Sequence, residues 1–155
     1  MVGRSKYNSF RVIKDRVWEK ISNWKNQFLS PSSKEVLLKA VIQAIPTYLT
    51  VFQLPKKLCK EIAAQMAKFW WGFKKENNKI QWRSWEKMGV VKASGGLGFR
   101  ELVSFNKALL AKQCWRMLTN PHSLAAKVLK DKYFRHSEIL VSKLGHRPSV
   151  IWRSL

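Results

Sequence analysis

Acidic residues are scarce in this sequence: 9 Asp and Glu stand against 30 Lys and Arg over 155 residues, a formal charge of +21. A polymerase or nuclease centre needs carboxylates gathered around paired metal ions, and here they lie singly along the chain. The nearest two, Asp15 and Glu19, are four apart among Arg11, Arg16 and Lys20, a spacing that reads as surface ion pairing on a helix. Cysteine is scarce too. Cys59 and Cys114 lie far apart, so they form no disulfide framework and read as buried thiols in a reducing compartment. With His122, His136 and His146 they offer no CxxC or HxxxH spacing, which argues against a structural zinc module and leaves the histidines as isolated surface residues. Long apolar runs are missing as well. Val36 to Leu54 comes nearest, but Lys39, Gln43, Pro46 and Gln53 interrupt it, so no membrane span is expected. Met1 to Arg11 holds no signal-like apolar run and Val2 is not a myristoylation glycine, so the expected location is intracellular, nuclear or cytoplasmic, and not secreted.

Against these absences, 46% of the residues are hydrophobic, with 8 Trp and 8 Phe. Disordered basic tails lack such residues to bury, so this chain is expected to fold and to seek polyanions. Phe10, Ile13, Val17, Ile21, Trp24 and Phe28 recur at helical steps and predict one amphipathic helix. A second follows, capped either by Ser30 with Pro31 at the first helical position or by Ser32 with Glu35 in a capping box, the box being the firmer signal. It carries Val36, Leu37, Ala40, Val41, Ala44 and Ile45 inward until Pro46 kinks or stops it, and Thr47 to Gln53 stays open between helical and extended.

A third helix is expected from Pro55 to a stop at Gly72, with Leu58, Ile62, Met66 and Phe69 on one face and Lys56, Lys57, Lys60 and Lys68 around the rest. Lys74 to Lys79 reads as a surface loop, and Ile80, Trp82 and Trp85 as a short strand or helical turn. Gly95, Gly96 and Gly98 suit a tight connection; the run could cradle an anion with its amides, but it lacks the GxGxxG spacing and the GK[ST] ending. Phe105, Ala108, Leu109, Ala111, Trp115 and Leu118 predict a further helix, and Ser123 caps a last one carrying Leu124, Val128 and Leu129.

Basic charge interleaves with aromatics in Lys68-Phe69-Trp70-Trp71-Gly72-Phe73-Lys74-Lys75 and in Gln81-Trp82-Arg83-Ser84-Trp85. Cations neutralise phosphates while indole faces can stack on bases, although helical spacing sends several of these rings into a core.

The order of the motifs adds a resemblance. Leu29-Ser30-Pro31, Lys39 through Tyr48, Leu54-Pro55, Phe69-Trp70-Trp71-Gly72, Gly95-Gly96-Leu97-Gly98-Phe99-Arg100, Phe105 through Gln113 and Trp115-Arg116 follow one another in turn. Beyond them come Ala126 to Lys130, Lys132-Tyr133-Phe134 and Pro148 to Ser154. From about Phe10 onward the chain resembles the region after the polymerase palm in plant LINE-type (non-LTR) retrotransposon reverse transcriptases. The resemblance implies a thumb-and-connection role, helices gripping a template–primer duplex, while the chain lacks the palm's Asp-Asp pair, the endonuclease acids and the zinc cluster of such polyproteins.

The expected fold is therefore mainly α, a helical thumb/connection-like arrangement with a small irregular or β element around residues 80–100. Residues 1–9 form an extension, 10–72 a thumb-like lobe and 73–155 a connection-like lobe. The expected function is RNA or RNA–DNA template–primer binding without catalysis and without a cofactor, with the remaining reverse transcriptase domains as a further partner. Lys14, Lys25, Lys39, Lys56, Lys57 and Lys68 are the candidate backbone contacts, Arg100, Lys107, Lys112 and Arg116 a second patch, and Trp82 and Trp85 candidate stacking residues. A decayed retroelement fragment with no selected role, or a general polyanion or membrane-surface binder, are the competing readings.

Overall fold

In the computed structural model, which describes residues 6–24, 28–44, 47, 50–72 and 80–155, every regular element is helical. They are α1 (Lys6–Asn23), α2 (Pro31–Leu37) running into a π-helical turn (Leu38–Ile42), α3 (Lys56–Trp71), α4 (Trp85–Met88), a 3-10 turn (Lys92–Ser94), α5 (Leu102–Thr119), α6 (Leu124–Tyr133) and a 3-10 turn (Ile139–Val141). The chain divides into two compact units, Met1–Tyr48 with Leu54–Phe105, and Leu49–Gln53 with Asn106–Leu155.

The first unit is built on α1 against α3. Phe10, Val17 and Ile21 are buried on one stripe of α1, and Leu58, Ile62, Met66 and Phe69 on the matching stripe of α3, the repeat that the helical period demands. Fully burying each such side chain contributes roughly 1.5–3 kcal/mol. Trp24 tilts onto Phe69 with ring centroids 5.3 Å apart, while Phe28, expected on the same stripe, is exposed. Pro55 and Gly72 bound α3, Gly72 at a φ of 99° that favours glycine. The cap of α2 is Ser30, whose hydroxyl accepts from the Ser33 N–H at 3.2 Å with Pro31 in the first turn. That displaces the Ser32/Glu35 box, because Glu35 is engaged elsewhere, with Lys39 and Lys92. The expected kink at Pro46 and the loop from Lys74 to Lys79 lie outside the described residues.

The expected β or irregular element around residues 80–100 is corrected by the structure: no strand or sheet is present among the described residues. Ser84 caps α4 by accepting from the Lys87 N–H, and the chain then folds back on itself. The Gly95 N–H donates to Lys92, Gly96 to Val91, Leu97 to Met88 and Gly98 to Val90. A loop closed this tightly needs no partner strand. A Cβ on Gly96 would lie 1.8 Å from the Val90 carbonyl oxygen, so only glycine allows this approach. The same bonds exclude the anion cradle, since all four amides are already donated within the loop.

In the second unit α5 turns inward through Asn106 and Leu110 rather than through Trp115 and Leu118, which are exposed. Buried Asn106 donates its amide to the Phe52 carbonyl at 3.0 Å, fastening the 49–53 segment. Ser123 caps α6, accepting from the Ala126 N–H at 3.3 Å. Yet Leu124 and Val128 face solvent and Ala126 is the buried residue. Trp152 stacks against Tyr133 at 4.9 Å and Phe134 at 5.5 Å, and the Tyr133 hydroxyl accepts from the Ser149 N–H, tying the C-terminal turn to α6.

Candidate nucleic-acid interface

With 16 residues, α3 presents its charge in one direction. At about 100° per residue, Lys56, Lys57, Lys60 and Lys68 fall within an arc of about 120° and along roughly 18 Å of axis. All four are exposed. Glu61 is the helix's one acid, and it is turned to α1: its carboxylate accepts from the Tyr7 hydroxyl at 2.9 and 2.7 Å and from the Lys14 ammonium at 2.9 Å. These hydrogen bonds, Tyr7's first, hold the Glu61 carboxyl below the usual carboxylate range, and Glu61 in turn raises Lys14. Lys57, one turn back, also helps to lower the Glu61 carboxyl, so α1 takes most of that negative charge and the lysine stripe meets the rest at Lys57. Lys57 also lies over the Tyr7 ring, 5.2 Å from its centroid, which steadies a long side chain. Lys60, absent from the candidate contacts named on the sequence, joins them here; its i+4 spacing from Lys56 is the signal that places both on one face.

The other expected contacts are dispersed. Lys14 is engaged with Glu61, and Lys39 with Glu35 at 2.7 Å, lying 5.8 Å from the Phe99 ring centroid. The Lys39 and Lys92 ammoniums, Lys39's first, hold the Glu35 carboxyl below its ordinary value. Lys25 lies outside the described residues, as do Phe73, Lys74 and Lys75. Arg100, in the first unit, stacks over Phe105 at 4.7 Å. Lys107, Lys112 and Arg116 are exposed in the second; Lys112 and Arg116 are one turn apart, whereas Lys107 lies about 140° around α5 from Lys112. Trp82 is 79% exposed, and Trp85 is stacked within the protein.

No group of three or more metal-ligating side chains occurs among the described residues. Burial pushes the Cys59 thiol up to about 11, an inert thiol rather than a nucleophile. No helix among the described residues is long and apolar enough to cross a membrane.

Comparison with known proteins finds two plant relatives. Over 114 residues the chain is 44% identical to the "Uncharacterized mitochondrial protein AtMg00310" of Arabidopsis thaliana, covering 72% of this chain and 74% of the relative. The chain belongs to the AtMg00310 family. Its second relative, 33% identical over 153 residues and 96% of this chain, is the "Putative ribonuclease H protein At1g65750" of the same plant. The chain spans only 24% of that relative's length, and the activity in the name belongs to that protein. With these two relatives, the chain is a retroelement-related plant protein. No family model and no solved structure matches the chain.

Proposed function

We propose that the chain is a non-catalytic nucleic-acid-gripping segment of a plant LINE-type retroelement reverse transcriptase, the thumb-and-connection region behind the palm. It binds RNA or an RNA–DNA template–primer duplex through phosphate contacts, with the rest of the polymerase as its protein partner. The observation that carries this reading is the α3 face: four exposed lysines on one arc, with the helix's single acid engaged by α1. Such a row neutralises phosphates without reading base edges, so its grip is sequence-independent and salt-dependent. The proposal keeps the chain inside the cell, and the mitochondrial name of one relative adds that organelle to the nucleus and cytoplasm.

Fluorescence anisotropy of the purified chain against an RNA–DNA hybrid primer–template, single-stranded RNA and duplex DNA, each over a salt series, tests it. The reading predicts a steep salt slope with preference for the hybrid. Equal binding of all three, displaced as readily by anionic lipid vesicles, would make the charge a general polyanion attractor and overturn it.

A further inference from the structure

The second unit leaves apolar side chains in water that its own helices do not cover. A groove of about 500 Å³ is lined from α5 by Met117, from α6 by Leu124, Val128 and Leu129, and by Ile151 of the C-terminal turn. Leu124 is 80% exposed and Val128 55%, and the two lie one helical turn apart on the same face. Contiguous apolar surface left in water marks a place where something docks. Among the described lining residues the charged side chain is Arg116, which donates to the Gln113 side-chain oxygen over a long 3.4 Å and has further guanidinium donors to offer.

Size, shape and charge narrow the occupant. A small ligand is buried over roughly 70–90% of its surface, whereas a wall as exposed as Leu124 stands outside any such enclosure. A bilayer is planar and leaves the floor of a groove unfilled. A second copy sets +21 against +21, and the acids of this unit are Asp131 and Glu138, the former already paired with Arg135 at 2.9 Å. What fits is a helix whose apolar stripe fills the groove and whose flank brings carboxylates to the cations beside it. Arg116 lies in the lining, Lys112 one turn before it on α5 and Lys132 one turn beyond Val128 on α6, all three exposed. Chain to supply such a helix exists. This region spans 24% of the At1g65750 protein, so in that relative the remainder is tethered beside the groove at high effective concentration.

We propose that the groove between α5 and α6 receives an acidic amphipathic helix from the remaining chain of the retroelement protein, its apolar stripe on Met117, Leu124 and Val128 and a carboxylate at Arg116. The inference rests on the protein-partner part of the reading above and supplies that partner's chemistry.

The test is fluorescence anisotropy on the full chain with a labelled helical peptide of Ala, Leu and Glu, its leucines at i, i+4 and i+7 and its glutamates along both flanks. One control peptide scrambles the order at fixed composition, and another replaces each Glu by Lys. The groove predicts that the striped acidic peptide binds about tenfold tighter than either control. Leu124→Gln combined with Val128→Gln lowers that affinity about tenfold and Arg116→Gln about threefold, while Val12→Gln, at an equally exposed valine on α1, leaves it unchanged. Leu124 and Val128 stand in water, so these substitutions spare the core, and a benzophenone beside the middle leucine maps the contact independently to α5 and α6. Equal binding of the scrambled peptide would reduce the site to charge, equal binding of the lysine peptide would reduce it to apolar contact, and either overturns the proposal. So would a dimer in sedimentation that the Leu124 and Val128 substitutions dissolve, which gives the groove to a second copy. Phosphatidylserine vesicles that displace the striped peptide, and whose own binding those substitutions abolish, would give it to a membrane. The RNA salt slope is read separately: a chain that binds the peptide but not RNA keeps the groove and loses the α3 reading, and one that grips RNA but ignores the peptide loses the groove alone.

Discussion

The indole of Trp85 lies flat on the ring of Phe99, centroids 4.7 Å apart and planes 7° from parallel. That stack occupies the face a nucleobase would need, and it links α4 to the segment closing the loop from Val90 to Gly98. Trp82, three residues earlier, leaves most of its surface in water. Trp85→Ala is expected to destabilise the chain by about 3 kcal/mol, since a large packed aromatic is removed. Trp82→Ala is expected to change stability by less than about 0.5 kcal/mol. Chemical denaturation of the two variants checks this, and equal losses would mean that the pair is not divided between core and surface as described.

Gly96 and Gly95 sit side by side with opposite demands. A methyl on Gly96 meets the Val90 backbone, which cannot withdraw, whereas a methyl on Gly95 meets open space and only the strain of a φ of 78°. Gly96→Ala should therefore cost roughly 3 kcal/mol by overpacking, and Gly95→Ala about 1 kcal/mol by backbone conformation. Thermal melts that rank the two the other way would contradict the loop geometry.

Acid should loosen the first unit in a specific way. The folded-state carboxyls of Glu61 and Glu35 both titrate below their ordinary value of 4.5, through hydrogen bonds from Tyr7 and Lys14 in one case and from Lys39 and Lys92 in the other. A carboxyl depressed on folding contributes stability that is fully present above its unfolded pKa and is lost as pH falls through the folded one. The melting temperature should thus hold steady at neutral pH and decline below about pH 4.5. Glu61→Gln and Glu35→Gln should each lower the melting temperature at pH 7 and flatten that acid decline. Curves parallel to the unmodified chain's would show that these carboxylates do not carry the acid dependence.

Much of this fold is written in local chemistry. Pro55 and Gly72 bound α3 because one supplies a fixed φ before the first turn and the other a positive φ after the last, and both effects depend on single residues. Where the sequence is ambiguous, the deciding partner is distant. Ser30 caps α2 instead of Ser32 because Glu35, the other half of the box, is drawn to Lys39 and to Lys92 from beyond α4. On α5 the apolar pattern points to Trp115, but Asn106 turns inward with Leu110, and its cost of burial is met by the Phe52 carbonyl 54 residues away. The residues from 80 to 100 mislead for another reason: Ile80, Trp82 and Trp85 suggest a strand as readily as a helical turn, while only the tertiary stack on Phe99 shows which ring is inside.

The candidate interface is partly legible for the same reason. Helical spacing shows that Lys56, Lys57 and Lys68 share a face with Lys60, but it cannot show that Lys14 and Lys39 are held by Glu61 and Glu35. Which cations have an acid opposite them is a property of packing.

The measurement that bears most directly on the central claim is the salt slope of single-stranded RNA binding for two variants of equal charge. In one, Lys56, Lys57, Lys60 and Lys68 are changed to Gln; in the other, Lys130, Lys143, Arg147 and Arg153 are. Leaving four phosphates of a single strand without their cations should shrink the slope by about 3. A grip on the α3 face predicts that reduction for the first variant and little change for the second. Equal reductions in both would mean that the charge acts as a diffuse field with no gripping face, and would contradict the account.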